Sequence, residues 1–305
     1  MENQTTEYFQ MIPFFSKPMD TPYIFFTLLT VYLMGILMNI IIIAVIYTDH
    51  RLHSPMYLFL SNLSLIDVCF PSVIIPKVLY MLFTGIKTVS FTQCFTQFYF
   101  YVLFGTTEDT LLFVMAYDRY VAICRPLHYH QVLSRRMCLG FVVAIWSSAC
   151  LNSVLITTQA LKITFCSANK IHHLFCDFKA LFKISCGGLE KFFNLVYFEI
   201  LVLVMCPFLF SVVSYTKIIS IIMNIKSKEG RRKIFSTCSS HVTVLLLYYT
   251  TASSVLLAPT TKYSNLFEQI CSVLYTTVTP MLNPLIYTLR NKEVKLAINR
   301  LLKAK

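Results

Sequence analysis

Three sets of residues in this chain are of the types and spacings that do chemistry. Asp118 and Arg119 stand side by side at the end of an apolar run from about Cys94 to Val114. Two adjacent opposite charges offset each other's desolvation where a membrane helix meets water, either as an anchor of the helix end or as a latch. Asp67 lies about ten residues into another apolar run, and Glu108 stands ten residues before Asp118, so each sits roughly 15 Å from the same face. An ionised carboxylate at that depth costs about 2.5 to 3.5 kcal/mol and marks an ion or switching site, unless it is protonated and hydrogen-bonded. The third set is Cys94, Cys166, Cys176 and Cys186, with His172 and His173 close by in sequence. Four thiols on an oxidising face allow three pairings. A metal held by them would lack the short Cys-x-x-Cys spacing of a structural zinc site, and no metal is expected.

The spacings an enzyme needs are missing. The chain has no His-Glu-x-x-His, no Gly-x-Ser-x-Gly and no phosphate-cradling loop among its seven glycines, so catalysis is not expected.

The elements that must position these groups follow from composition. The 305 residues are 56% hydrophobic and 13% charged, with a mean hydropathy of +0.66. Too few polar side chains exist to cover a water-facing surface, so the bilayer is the solvent for much of the chain. Long apolar runs at about 23-47, 56-80, 94-121, 138-161, 193-222, 234-258 and 266-289 read as about seven membrane helices. The fold class expected is an all-α membrane protein, a seven-helix bundle over residues 23-290.

The net charge of +12 belongs to topology rather than to nucleic-acid binding. Arg51, Arg125, Arg135, Arg136, Arg231, Arg232, Lys233 and Arg290 fall in alternate loops and the tail, which makes those loops cytoplasmic. The bias is imperfect, because the long opposite loop carries Lys162, Lys170, Lys179, Lys183 and Lys191. Residues 1-22 then form an extracellular N-terminus without a signal-peptide pattern, and Asn3-Gln4-Thr5 is a glycosylation acceptor there. Asn62-Leu63-Ser64 is rejected because it falls inside a helix. Residues 291-305 pattern as a short cytoplasmic amphipathic helix lying on membrane lipids. Asn39, alone in the first span, needs a partner. The loop Lys162 to Lys191 is too long to be structureless and must be tied down.

Four strings carry a family resemblance: MAYDRYVAICRPLHY from Met115, PMYLFLSNLSLIDVCF from Pro55, KIFSTCSSH from Lys233 and PMLNPLIYTLRN from Pro280. The chain resembles the odorant receptors, a branch of the rhodopsin-like seven-helix G-protein-coupled receptors, over essentially its whole length. The resemblance implies disulfides Cys94–Cys176 and Cys166–Cys186. It implies a sodium pocket at Asp67 and Glu108, with Asn283 beside them. It also implies an activation switch built from Asp118, Arg119, Tyr120, Tyr215, His241, Asn283, Pro284 and Tyr287. The partners it implies are a small odorant and a stimulatory heterotrimeric G protein that raises cyclic AMP at the plasma membrane. Three positions depart from the family: Asp109 beside Glu108, Met38 where Gly is usual, and Lys179 where Pro is frequent.

The ligand site is expected in the outer half of the bundle. Helical spacing puts Tyr101, Val102, Gly105 and Thr106 on one face of the third span. With Ile200, Leu203, Tyr249, Ala252, Ser253, Leu256, Val273 and Thr276 they would enclose a mainly apolar cavity. That composition suits a small, neutral, hydrophobic molecule, and Asp109 and Glu199 are the only acids placed to reach it. The rival readings are a non-olfactory receptor of the same fold, or a transporter or channel using the buried acids. Against the latter, the hydropathy shows no duplicated halves.

Overall fold

The helices begin and end where the local chemistry dictates. In the computed structural model, which describes residues 8–13, 21–165, 169–187, 189–257 and 265–303, α1 covers Thr21–Thr48 and α2 covers Pro55–Thr84. The start of α2 uses Ser54 as N-cap and Pro55 at its first turn, where a missing N–H costs nothing. It stops at Gly85, whose φ of 72° closes the helix in the left-handed region that glycine adopts without strain. α3, Phe91–Cys124, opens on a reciprocal capping box between Ser90 and Gln93. A short α4, Tyr129–Val132, leads to α5, Arg135–Ala160, capped by Ser134.

The loop after α5 carries α6, Phe178–Lys183, capped by Asp177. The fifth crossing is α7, Leu189–Glu199, a π turn at Ile200–Met205, and α8, Cys206–Asn224. The sixth is α9, Lys228–Leu257. The seventh is α10, Asn265–Val273, a π turn at Leu274–Val278, and α11, Thr279–Arg290, after which α12 spans Lys292–Lys303. Each π turn ends just before a proline, Pro207 or Pro280. Proline removes a backbone donor and crowds the preceding turn, and a local widening of the helix accommodates both effects.

The crossings form a seven-helix bundle with α3 at its centre, packed against α2, α5 and α8. Four stretches, Thr21–Thr48, Pro55–Thr84, Arg135–Ala160 and Glu190–Asn224, are long and apolar enough on their own to cross a membrane. α3 is more polar because it carries Glu108, Asp109, Asp118 and Arg119, and the bundle buries both glutamate and aspartates. Leu37, Val143, Leu151 and Tyr197 stay exposed on the outer faces, where hydrocarbon is the solvent. Asn39 donates to the carbonyls of Gly35 and Pro280, at 3.0 and 3.2 Å, and so ties α1 to α11. Asn62, the rejected sequon, lies in α2 and accepts from the Trp146 indole at 3.2 Å.

One element was not expected. Residues Tyr8–Met11 form a strand, β1, between β2 at Thr88–Ser90 and β4 at Lys170–Ile171. A second ribbon pairs β3, Thr164–Phe165, with β5, Ser185–Gly187. In β1, Phe9 and Met11 point inward and are fully buried, while Tyr8 and Gln10 face out. This end of the bundle is therefore roofed by a sheet that joins the N-terminal segment to the loop before α3 and the loop after α5. The expected extracellular N-terminus is in this sense an integral part of the bundle's cap. Asn3 lies outside the described residues.

Candidate functional site

The polar groups that sequence singled out fall in layers along the bundle. At the inner end, Asp118 is fully buried and accepts from Arg119 Nε at 2.7 Å and from the Tyr129 hydroxyl at 2.8 Å. The pair is thus clamped from the loop that follows α3. Tyr120 lies next along α3 with Lys217 Nζ 5.9 Å from its ring centroid. Tyr215 of α8 does not reach toward Arg119; its hydroxyl is 2.5 Å from His241 Nδ1 on α9. His241 is fully buried and its Nε2 has no partner. Tyr287 is buried with its hydroxyl unpaired, three residues beyond Pro284.

One layer further out, Asn283 Nδ2 donates to both oxygens of Asp67, each at 3.1 Å. Glu108 is buried at the same level, 1% exposed, and its charge acts on the same neighbourhood as that of Asp67. Asn283 Oδ1 is buried without a hydrogen bond. These three side chains come from α2, α3 and α11, which only the folded bundle brings together.

At the outer end Cys94 and Cys176 are joined, with Cα atoms 5.5 Å apart across 82 residues of sequence. The Cys176 backbone N–H also donates to Gln97 at 3.0 Å. The other expected disulfide includes Cys166, which lies outside the described residues. His173 is a structural residue: its ring bonds the Phe175 carbonyl at 3.1 Å and the Ser272 hydroxyl at 3.2 Å. Among the described residues no three metal-ligating side chains gather.

Beneath this roof is a cavity of about 310 Å³ bounded by α3, α6, the fifth crossing, α9 and Tyr275. Tyr101, Val102, Gly105, Thr106, Ile200, Leu203 and Ala252 line it, as helical spacing implied. Four expected residues are placed elsewhere. Tyr248, Ala252 and Val255 face the cavity, at i, i+4 and i+7. Tyr249 and Ser253 are each one residue further on, about 100° around α9. They line a groove between α8 and α9 instead, where Tyr249 packs on Phe208. On the seventh crossing the π turn changes the angular phase, so Tyr275 reaches the cavity rather than Val273 or Thr276. The Thr276 hydroxyl is used within its own helix, bonding the Ser272 carbonyl at 2.7 Å. The Leu256 side chain lies outside the described residues.

Sequence reasoning left Lys179, Tyr248 and Tyr275 out of the cavity wall. Asp109 and Glu199 both line it, and both had been singled out only as the acids placed to reach it. Glu199 accepts from Asn152 at 2.6 Å and from Thr106 at 3.5 Å, a cluster spanning α3, α5 and α7. The amide of Asn152 in an apolar run is the signal the sequence offers for this cluster. Lys179 of α6 reaches the cavity from above and donates to the Val255 carbonyl at 2.6 Å. Burial pushes its ammonium below the usual lysine range.

Comparison with known proteins agrees with this arrangement. A family profile described as olfactory receptor matches residues 28–305. The chain is 41% identical to olfactory receptor 1468 of Rattus norvegicus over 302 residues, covering 99% of this chain and 96% of the relative. It is 42% identical to olfactory receptor 9G19 of Mus musculus, with 99% of each covered. In fold it is similar to the crystal structure of squid rhodopsin, with a TM-score of 0.74 at 15% identity over 93% of this chain and 81% of that one. With near full-length relatives at this identity, the chain belongs to the olfactory receptor family.

Proposed function

We propose that this receptor takes a small, mostly hydrophobic odorant into the cavity under the disulfide-tied roof and signals through a stimulatory G protein, raising cyclic AMP. Family membership makes the chain a multi-pass plasma-membrane receptor rather than an enzyme, with a small-molecule ligand and a G protein as its partners. The observation that carries the finer reading is the vertical order of parts. A largely aromatic cavity sits above the Asp67–Asn283 layer, which sits above the Asp118–Arg119 latch. A ligand that alters the spacing of α3, α9 and the fifth crossing at the top biases the Tyr215–His241 and Asp118–Arg119 contacts below.

A sodium ion fits the middle layer. Two buried carboxylates, Asp67 and Glu108, and the unpaired Asn283 Oδ1 supply hard oxygen ligands, and a cation there would offset the burial of the acids. Such an ion would stabilise the resting spacing of α2, α3 and α11. The N-terminus is placed outside and α12 inside. This is supported by the basic loops and by the exposed Leu296 and Leu301 of α12, which suit lipid contact at an inner leaflet.

Cyclic AMP in cells expressing the receptor, challenged with a panel of volatile molecules, tests the reading. A ligand-dependent rise that Arg119→Ala abolishes is expected. A ligand-independent ion current from the surface-expressed chain, with no cyclic AMP response, would overturn it.

A further inference from the structure

Not every polar group around the cavity is spoken for. Asp109 lines the wall and is 7% exposed, yet its Oδ1 is buried with no hydrogen-bond partner. The second acid, Glu199, is already held by Asn152 and Thr106. The cation above, Lys179, donates to the Val255 carbonyl. The Tyr248 hydroxyl stands 3.4 Å from that of Tyr275 and also bears on the Asp109 carboxyl, which still leaves Asp109 Oδ1 without a partner. Most of the remaining wall is carbon, from side chains such as Phe178, Phe192 and Leu203.

We propose that Asp109 is the specificity-determining contact of this receptor: the ligand is a small molecule with an apolar body and one N–H or O–H head group, which donates to Asp109 Oδ1. This rests on reading the cavity as the ligand site and supplies its chemistry. A buried acceptor without a donor is unfavourable, and a ligand that brings the donor relieves it on binding. An acceptor-only head such as an aldehyde leaves Oδ1 unpaired and gains nothing there. An anionic head brings only acceptors, offers Oδ1 no donor, and loses its own hydration in a mostly apolar space, so it is disfavoured.

The test uses the full-length receptor in lipid nanodiscs and five probes on one skeleton: heptylamine, 1-heptanol, heptanal, heptane and heptanoate. Binding is read as the shift in thermal unfolding midpoint against probe concentration, beside the cyclic AMP response in cells. Heptylamine or 1-heptanol is expected to bind about 10- to 100-fold more tightly than heptanal or heptane, the worth of one hydrogen bond to a carboxylate. Heptanoate should be weakest. Asp109→Leu should erase the difference, and Glu199→Gln should leave it in place. Asp109→Asn separates the two head groups, keeping an alcohol and losing a cationic amine. The order of probes is compared within each variant, so a less stable variant still reports. Binding of heptanal and heptane as tight as that of heptylamine and 1-heptanol, tightest binding by heptanoate, an unchanged order in Asp109→Leu, or no binding by any probe would each overturn the proposal. The expected order without a cyclic AMP response would support it and overturn the signalling reading instead.

Discussion

The Tyr215 hydroxyl and His241 Nδ1 meet at 2.5 Å between the inner ends of the fifth and sixth crossings. The bond holds α8 to α9 and occupies the one polar group of Tyr215, while Arg119 is held by Asp118. Opening of α9 away from α3 has to break it. His241→Leu removes the acceptor along with the unpaired Nε2, at a net loss to the resting state of about 0.5 to 1.5 kcal/mol. Ligand-independent signalling per receptor at the surface should rise about 2- to 10-fold. Basal signalling equal to wild type would show that this bond does not restrain the switch.

The double contact of Asn283 with Asp67 makes a second expectation quantitative. If sodium binds beside it, NaCl should raise the unfolding midpoint over choline chloride at equal ionic strength. At about ten times its dissociation constant the ion contributes about 1.4 kcal/mol, or about 2 to 4 °C in the midpoint. Asp67→Asn and Glu108→Gln should each lose the difference. A midpoint indifferent to the cation in wild type would remove sodium from the account.

The Cys94–Cys176 bridge pins the chain just ahead of α6, whose N-cap Asp177 follows it and whose Lys179 roofs the cavity. Cys94→Ser should cost about 2 to 5 kcal/mol and remove most receptor from the cell surface. Surface staining of intact cells reads this directly, and wild-type levels would mean that the strands alone hold the roof.

Those strands show where sequence stopped being informative. The helices, the latch and the middle acids were legible, because long apolar runs have one solution in a bilayer and charges inside them stand out. The cavity was legible to within one turn: Ala252 was placed correctly, and Tyr249 was chosen where Tyr248 faces inward. Over the 30 residues of α9 small errors in phase accumulate, and nothing in a run of Tyr, Thr and Ser fixes the phase. The π turn at Leu274–Val278 shifted the seventh crossing by a backbone event that side-chain periodicity does not report. The strand at Tyr8–Met11 alternates exposed and buried residues, but four residues pairing with a distant loop are too short a signal to separate from chance.

At the end of the bundle opposite the strand roof, Arg300 of α12 reaches Asp49 beyond α1, with Nε at 2.9 Å and Nη2 at 2.6 Å. The Arg300 hydrogen bond, and then the Arg51 backbone N–H, hold the Asp49 carboxyl below the usual aspartate range. A depressed acid contributes stability above its unfolded value and loses it as pH falls through the folded one. An aspartate ordinarily titrates near 3.8, so docking of α12 should be flat from about pH 8 to pH 5 and weaken only in more acidic solution. Hydrogen exchange of the α12 amides should quicken in Asp49→Asn between about pH 5 and pH 8, with the difference from wild type closing in more acidic solution, and should quicken in wild type at high salt. Exchange in Asp49→Asn identical to wild type would mean that the apolar contacts of Val294 and Ala297 suffice to hold the tail.

Phe9 is the residue on which the extracellular roof closes. It is fully buried, 6.0 Å from the Phe91 ring and edge-on to Phe165 at 5.6 Å. The backbone that follows it is paired as well, Gln10 N–H to the Asn169 carbonyl at 2.7 Å and Met11 N–H to the Lys87 carbonyl at 2.8 Å. Truncating a buried phenylalanine costs about 3 to 5 kcal/mol, and here the loss falls on three segments at once: the N-terminal strand, the first outer loop and the long second loop. Phe9→Ala should therefore free β1, raise hydrogen exchange in β2 and β4, and weaken the response to any ligand held beneath α6. Tyr8→Ala, one residue away and 59% exposed, controls for changes in the segment that leave the packing intact. Equal exchange and equal potency in the two variants would show that the cavity holds its shape without the strand. A loss confined to Phe9→Ala would make the N-terminal segment a part of the ligand site's architecture.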